Sequence, residues 1–93
     1  MSYEISEQAK ADILHMYVDG AQKHGVDRAE SYYAGLIRQF ETLALNPRLY
    51  NERTETNPSV RVCPYGVHVI IFSSSDRNGL FIIRVRHERE DWL

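Results

Sequence analysis

Hydrophobic spacing splits the chain into a helical front half and a strand-forming back half. Ala9, Ile13, Met16, Tyr17 and Gly20 recur at helical intervals and mark one face of an amphipathic helix. Ser6 stands ahead of it as an N-cap, and Glu7 puts a carboxylate in the first turn, where the helix dipole favours it. The helix is expected to stop at His24-Gly25, with Gly25 as a left-handed cap. A second seam, Ala29, Tyr33, Leu36, Phe40 and Leu43, predicts another helix. Asp27-Arg28-Ala29-Glu30 reads as a capping box with Asp27 as N-cap, and Asn46-Pro47 ends the helix because proline disfavours a helical predecessor. Before both helices, Tyr3 and Ile5 share one side of a short stretch that suits an edge strand.

The back half changes period. Residues 47–59 are polar, contain two prolines and read as a loop. Val60 to Cys63 has strand character that Pro64-Tyr65-Gly66 is expected to break. Two apolar runs follow, VHVIIFS and LFIIRVR, joined by a turn-rich stretch ending in Asn78-Gly79, and they predict a β-hairpin. The order is β-α-α-β-β-β. It defines an α+β class in which an antiparallel helical hairpin covers one face of an antiparallel sheet. Strand alternation in the last run places Phe81, Ile83, Val85 and His87 under the helices. It leaves Leu80, Ile82, Arg84 and Arg86 on an open face that expects a partner. On that placement the two arginines are dispensable for folding.

With 93 residues the chain is expected to form one domain spanning residues 1–93. Its formal net charge of −2 argues against the strongly basic surface that direct nucleic-acid binding draws on. Charge is uneven, however: Arg61, Arg77, Arg84, Arg86 and Arg89 crowd the last third, with Arg53 just upstream. Arg61, Arg84, Arg86, His87 and Arg89 are therefore the candidate binding cluster, able to fork onto phosphate or carboxylate and, at the histidine, to titrate near neutrality. The single cysteine, Cys63, excludes an internal disulfide and a thiolate zinc cluster. The spacing of the histidines matches no metal motif, and no glycine-rich phosphate loop or nucleophile elbow occurs, so no metal, cofactor or catalytic residue is expected. Without a signal-peptide pattern or an apolar run near the length of a membrane span, a cytoplasmic protein without membrane contact is expected.

Several phrases, in order, resemble the ParE toxins of bacterial toxin-antitoxin modules, within the RelE/ParE superfamily. They are Tyr3-x-Ile5-Ser6-x-x-Ala9-x-x-Asp12-Ile13 at the front and Phe40-x-x-Leu43-Ala44-x-x-Pro47 at the end of the second helix. At the back stand Tyr65-Gly66-x-His68-x-Ile70-x-Phe72 and Ile83-Arg84-Val85-x-His87-x-Arg89-x-Asp91, with Arg86 where the family often has leucine. The resemblance covers essentially the whole chain. It implies a toxin that poisons DNA gyrase by trapping the cleaved-DNA state and that a cognate ParD-like antitoxin neutralises by direct binding. It also implies that the C-terminal region carries toxicity, which maps target contact onto Arg61, Arg84, Arg86, His87, Arg89, Asp91 and Trp92, and antitoxin contact onto Leu80, Ile82 and Arg84. The same fold also serves RelE-like ribosome-dependent messenger-RNA endonucleases, for which Arg61, Arg84 and His87 would be the reacting groups; a third reading is a non-toxic binding member. The lack of lysines outside Lys10 and Lys23 favours action on a protein.

Overall fold

The computed structural model describes residues 3–54, 59–75 and 79–90. Strand β1 (Tyr3–Ile5) leads into helix α1 (Glu7–His24) and helix α2 (Val26–Leu45). A short 3-10 turn (Pro47–Leu49) then precedes strands β2 (Glu52–Arg53), β3 (Val60–Tyr65), β4 (His68–Ser75) and β5 (Gly79–His87). The strands form one sheet in the order β1-β5-β4-β3-β2. Three of its pairings are antiparallel, but β1 runs parallel to β5, with Tyr3, Glu4 and Ile5 opposite Leu80, Phe81 and Ile82. The sheet is therefore mixed, which corrects the wholly antiparallel expectation: two helices and three strands separate β1 from β5, a connection long enough to bring β5 back parallel beside it.

Ser6 joins the sheet to the first helix. Its N–H donates to the Ile82 carbonyl at 2.9 Å, its hydroxyl donates to the Ile83 carbonyl at 2.6 Å, and its Oγ accepts from the Ala9 amide at 2.9 Å. The N-cap thus also docks α1 onto β5. Between the helices, Gly25 serves both ends: its N–H donates to Ala21 O and its carbonyl accepts from the Ala29 N–H. A φ of 91° makes glycine the residue for this position. Because Gly25 is itself the N-cap, α2 starts at Val26, and Asp27 lies in the first turn without capping it.

The main core lies between the helices and the sheet. Ala9, Ile13, Leu36, Phe40, Leu43 and Ala44 from the helices meet Cys63, Ile70, Phe72, Leu80, Ile82 and Val85 from the strands. A second apolar cluster of Val60, Val62, Val69 and Ile71, with Ile83 against it, occupies the other sheet face. Helical spacing thus places the seam residues correctly, apart from Tyr33, which is partly exposed and sits edge-on to Tyr17.

Three local expectations are revised. The loop after Pro47 contains the 3-10 turn and β2, whose two residues pair with Arg61 and Val60. Pro64 does not end β3; the strand continues to Tyr65, and since β2 reaches only Arg61, the missing proline N–H falls on an open edge. In β5 the alternation is interrupted. Phe72 pairs with Ile82 and Ile71 with Arg84, leaving Ile83 as the extra residue of a β-bulge. Leu80 and Ile82 consequently face the helices, 2% and 0% exposed, while Phe81 is 39% exposed and Ile83 joins the opposite cluster. Beyond the bulge Val85 is in the core, as its spacing predicts.

Candidate functional site

Because β1 reaches only Ile82, the last third of β5 is paired with β4 on one edge and has no strand on the other. Asp12 fills that role. Its Oδ2 accepts from Arg84 Nε at 2.7 Å and from the Val85 amide at 3.1 Å, and its Oδ1 accepts from Arg84 Nη2 at 2.9 Å. One carboxylate thus replaces a strand for the Val85 N–H and holds a guanidinium in both teeth of its fork. Burial works to raise the Asp12 pKa, but the Arg84 and Val85 hydrogen bonds and the charges of Arg84 and Arg86 outweigh it and hold the carboxyl below the usual range.

Past the strand, Glu90 closes a turn. Its Oε2 lies 2.6 Å from Arg86 Nη2, its Oε1 accepts from the His87 amide at 2.9 Å, and its own N–H donates to the His87 carbonyl at 3.0 Å. The His87 amide, together with Arg86, holds Glu90 below the ordinary carboxylate range. The Arg89 amide donates to His87 Nδ1 at 3.1 Å, which places the proton of a neutral His87 on Nε2.

At the β3–β4 turn an aromatic cluster ties α2 to the sheet. The Tyr32 hydroxyl donates to the Tyr65 carbonyl at 3.0 Å, receives the Val67 amide at 3.3 Å and lies 2.8 Å from His68 Nδ1. The hydroxyl has one hydrogen for these contacts, and the His68 tautomer sets the direction of the bond to Nδ1. The Tyr65 hydroxyl donates back to the Tyr32 carbonyl at 2.8 Å. Two glycines make room: the Tyr65 hydroxyl fills the space over Gly35, and the Tyr32 ring fills that over Gly66, whose φ of 54° forms the turn. His68 and His87 meet edge to face, with ring centroids 5.5 Å apart. Burial, then the neighbouring His87, pushes the His68 pKa down, and Glu90, Asp19 and Glu88 oppose this.

The expected arginine cluster is thus divided. Arg84, Arg86 and His87 share one cleft with Asp12 and Glu90, each arginine held by one of those carboxylates. Arg61 is elsewhere, its Nη1 donating to the Tyr50 carbonyl at 2.7 Å. Arg89 is exposed beside the Glu90 turn, whereas Asp91 and Trp92 lie outside the described residues. Leu80 and Ile82 are core residues and offer no surface to a partner; of the three residues expected to face one, only Arg84 is partly exposed. Sequence reasoning assigned no role to Asp12, Tyr32 or Tyr65, although Asp12 and Tyr65 stand in the phrases that resemble the family. Asp12 carries a signal in retrospect, as a carboxylate flanking the apolar stripe of α1. Among the described residues no group of three or more His, Cys, Asp or Glu is placed to hold a metal, and no helix is long and apolar enough to cross a membrane.

This arrangement of two helices on a five-strand mixed sheet is shared with a solved structure, a chromosomal ParDE TA system from P. aeruginosa. The TM-score is 0.78 at 19% identity, covering 94% of this chain and 95% of that one. In sequence, the chain is 28% identical over 89 residues to Toxin ParE1 of Mycobacterium tuberculosis, covering 96% of this chain and 91% of that protein. It is 30% identical over 86 residues to Toxin ParE1 of Caulobacter vibrioides, covering 92% and 88%. The family model described as ParE toxin of type II toxin-antitoxin system, parDE, matches residues 3–92. The chain belongs to this family and is a type II toxin-antitoxin toxin.

Proposed function

We propose that this chain poisons DNA gyrase, stabilising the cleaved-DNA complex, and that a cognate ParD-like antitoxin neutralises it by direct binding in the cytoplasm. The observation that carries the choice of a protein target over RNA cleavage is the state of the arginines. Strand cleavage needs a cation placed for the developing phosphorane charge beside a group that takes the 2′-hydroxyl proton. Arg84 is locked to Asp12, Arg61 serves the Tyr50 carbonyl, and Arg61 does not line the cleft that holds Arg84 and His87. The chain therefore acts by binding and not as an enzyme.

The antitoxin surface, in this reading, moves from Leu80 and Ile82 to the helical hairpin. A groove of about 390 Å³ there is lined by Ile5, Ile13, Leu14, Tyr17, Tyr33 and Ile37, and Leu14 is 61% exposed at its rim. Such a groove suits the apolar face of an amphipathic segment. The exposed Arg89, with the residues that follow it, remains the proposed target contact. Pulse labelling in bacteria, minutes after inducing the chain alone, tests the proposal. Thymidine incorporation is expected to fall first while methionine incorporation continues, and co-expressed antitoxin restores it. An early fall in methionine incorporation would instead support the ribosome-dependent nuclease.

A further inference from the structure

All four histidines of the chain line two adjoining clefts, a grouping that the toxin reading does not use. The first, about 650 Å³, holds His24, His68 and His87; the second, of similar volume, holds His15, His68 and His87; both also include Met16 and Asp19. The histidines come from distant places, His15 and His24 from α1, His68 from β4 and His87 from the end of β5, so the fold and not a local motif assembles them.

The charges around them are unequally committed. Each carboxylate lining the clefts is already held by a cation: Asp12 by Arg84, Asp19 by Lys23 at 3.2 Å, and Glu90 by Arg86. Arg28, at the start of α2 and lining the first cleft, has no carboxylate partner among the described residues. The group left to answer a ligand's charge is thus Arg28. Tyr32 also faces His68 from α2, and Glu88 adds a more distant negative field. Between the polar groups the first cleft is apolar, with Met16, Ala29 and Val67 in its lining. One unpaired guanidinium beside an apolar floor matches a carboxylate flanked by an apolar side chain better than a run of phosphates, which needs several fixed cations.

We propose that this cleft is a docking site for an acidic peptide segment bearing an apolar anchor, its carboxylate gripped by Arg28. The site is separate from the groove of the helical hairpin, and the inference does not depend on gyrase being the target. Because the carboxylates of this surface are internally neutralised, Arg28 is left for the incoming anion.

The test uses the full chain and a capped, fluorescent pentapeptide alternating glutamate and leucine, with a lysine-for-glutamate counterpart as control. Binding is read by anisotropy and by the NMR signals of the histidine rings near neutral pH, with circular dichroism confirming the fold of each variant. Expected are shifts of the His24, His68 and His87 ring signals and loss of most binding in Arg28→Glu, an exposed substitution. Absence of ring shifts at millimolar peptide, equal binding of the lysine counterpart, or undiminished binding by Arg28→Glu would each overturn the proposal. Displacement of the peptide by an oligonucleotide at lower concentration would overturn it in favour of a nucleic-acid site.

Discussion

Asp12→Ala is the substitution most informative about how the back half is held. The Asp12 side chain is 15% exposed and that of Arg84 29%, so the pair is largely but not wholly withdrawn from water. Removing the carboxylate leaves a half-buried guanidinium without its counter-charge and the Val85 N–H without its acceptor. Breaking one side of a fully buried pair costs about 3–5 kcal/mol, and an orphaned amide about 1–3 kcal/mol. Because Arg84 can still reach water, we expect a combined loss of about 3 kcal/mol, a large part of the stability of a chain this size. In a urea titration followed by circular dichroism this lowers the midpoint by about 2 M. Asp12→Asn, which keeps an oxygen but not the charge, should lose roughly half as much. A double-mutant cycle with Arg84→Ala should return a coupling of about 2 kcal/mol. The sign of the pH dependence is fixed. Since the folded state holds the Asp12 carboxyl below its unfolded value, its contribution is complete above about pH 4 and is lost as pH falls through the folded pKa. Wild type and Asp12→Ala should therefore converge in acid. A variant within about 0.5 kcal/mol of wild type at neutral pH, or a gap unchanged by acidification, would refute the reasoning.

Other substitutions test other parts of the account. Leu36→Asp forces a charge into a fully buried core position and should cost about 4 kcal/mol or more, leaving no cooperative unfolding transition; a cooperative transition would mean the helix packs differently. Gly66→Ala strains a left-handed turn and drives a methyl into the Tyr32 ring, so it should lose about 2 kcal/mol and shift the His68 ring signals, whereas a neutral effect would dissociate Tyr32 from the turn. Leu14→Glu changes an exposed rim residue of the helical groove; folding and toxicity should persist while antitoxin affinity measured by calorimetry falls about tenfold or more, and unchanged affinity would move the antitoxin elsewhere.

The parts of this fold that can be read from sequence are those fixed by near neighbours. Ser6 caps α1 because its Oγ reaches an amide three residues on, and the buried Leu36, Phe40 and Leu43 follow directly from helical spacing. The parts that cannot be read depend on residues far apart in the chain. Nothing local marks Ile83 as a bulge; only the register against Ile71 and Phe72 makes it one, and that single extra residue moved Leu80 and Ile82 from the expected surface into the core. Arg84 looks like a free cation until the fold brings Asp12 to it from 72 positions away. Local text misled at Asp27: its spacing to Glu30 fits a capping box, but Gly25 supplies the backbone turn and starts α2 earlier. The candidate site was therefore legible as a region, the end of β5, more than as a set of acting residues.

The central claim, that this toxin acts on gyrase and not on RNA, meets its most direct test in a plasmid-cleavage assay with purified gyrase. The account predicts that the purified chain causes linear, protein-linked DNA to accumulate and that cognate antitoxin abolishes the effect. Undiminished supercoiling with no cleaved DNA, alongside cleavage of messenger RNA on added ribosomes, would contradict it.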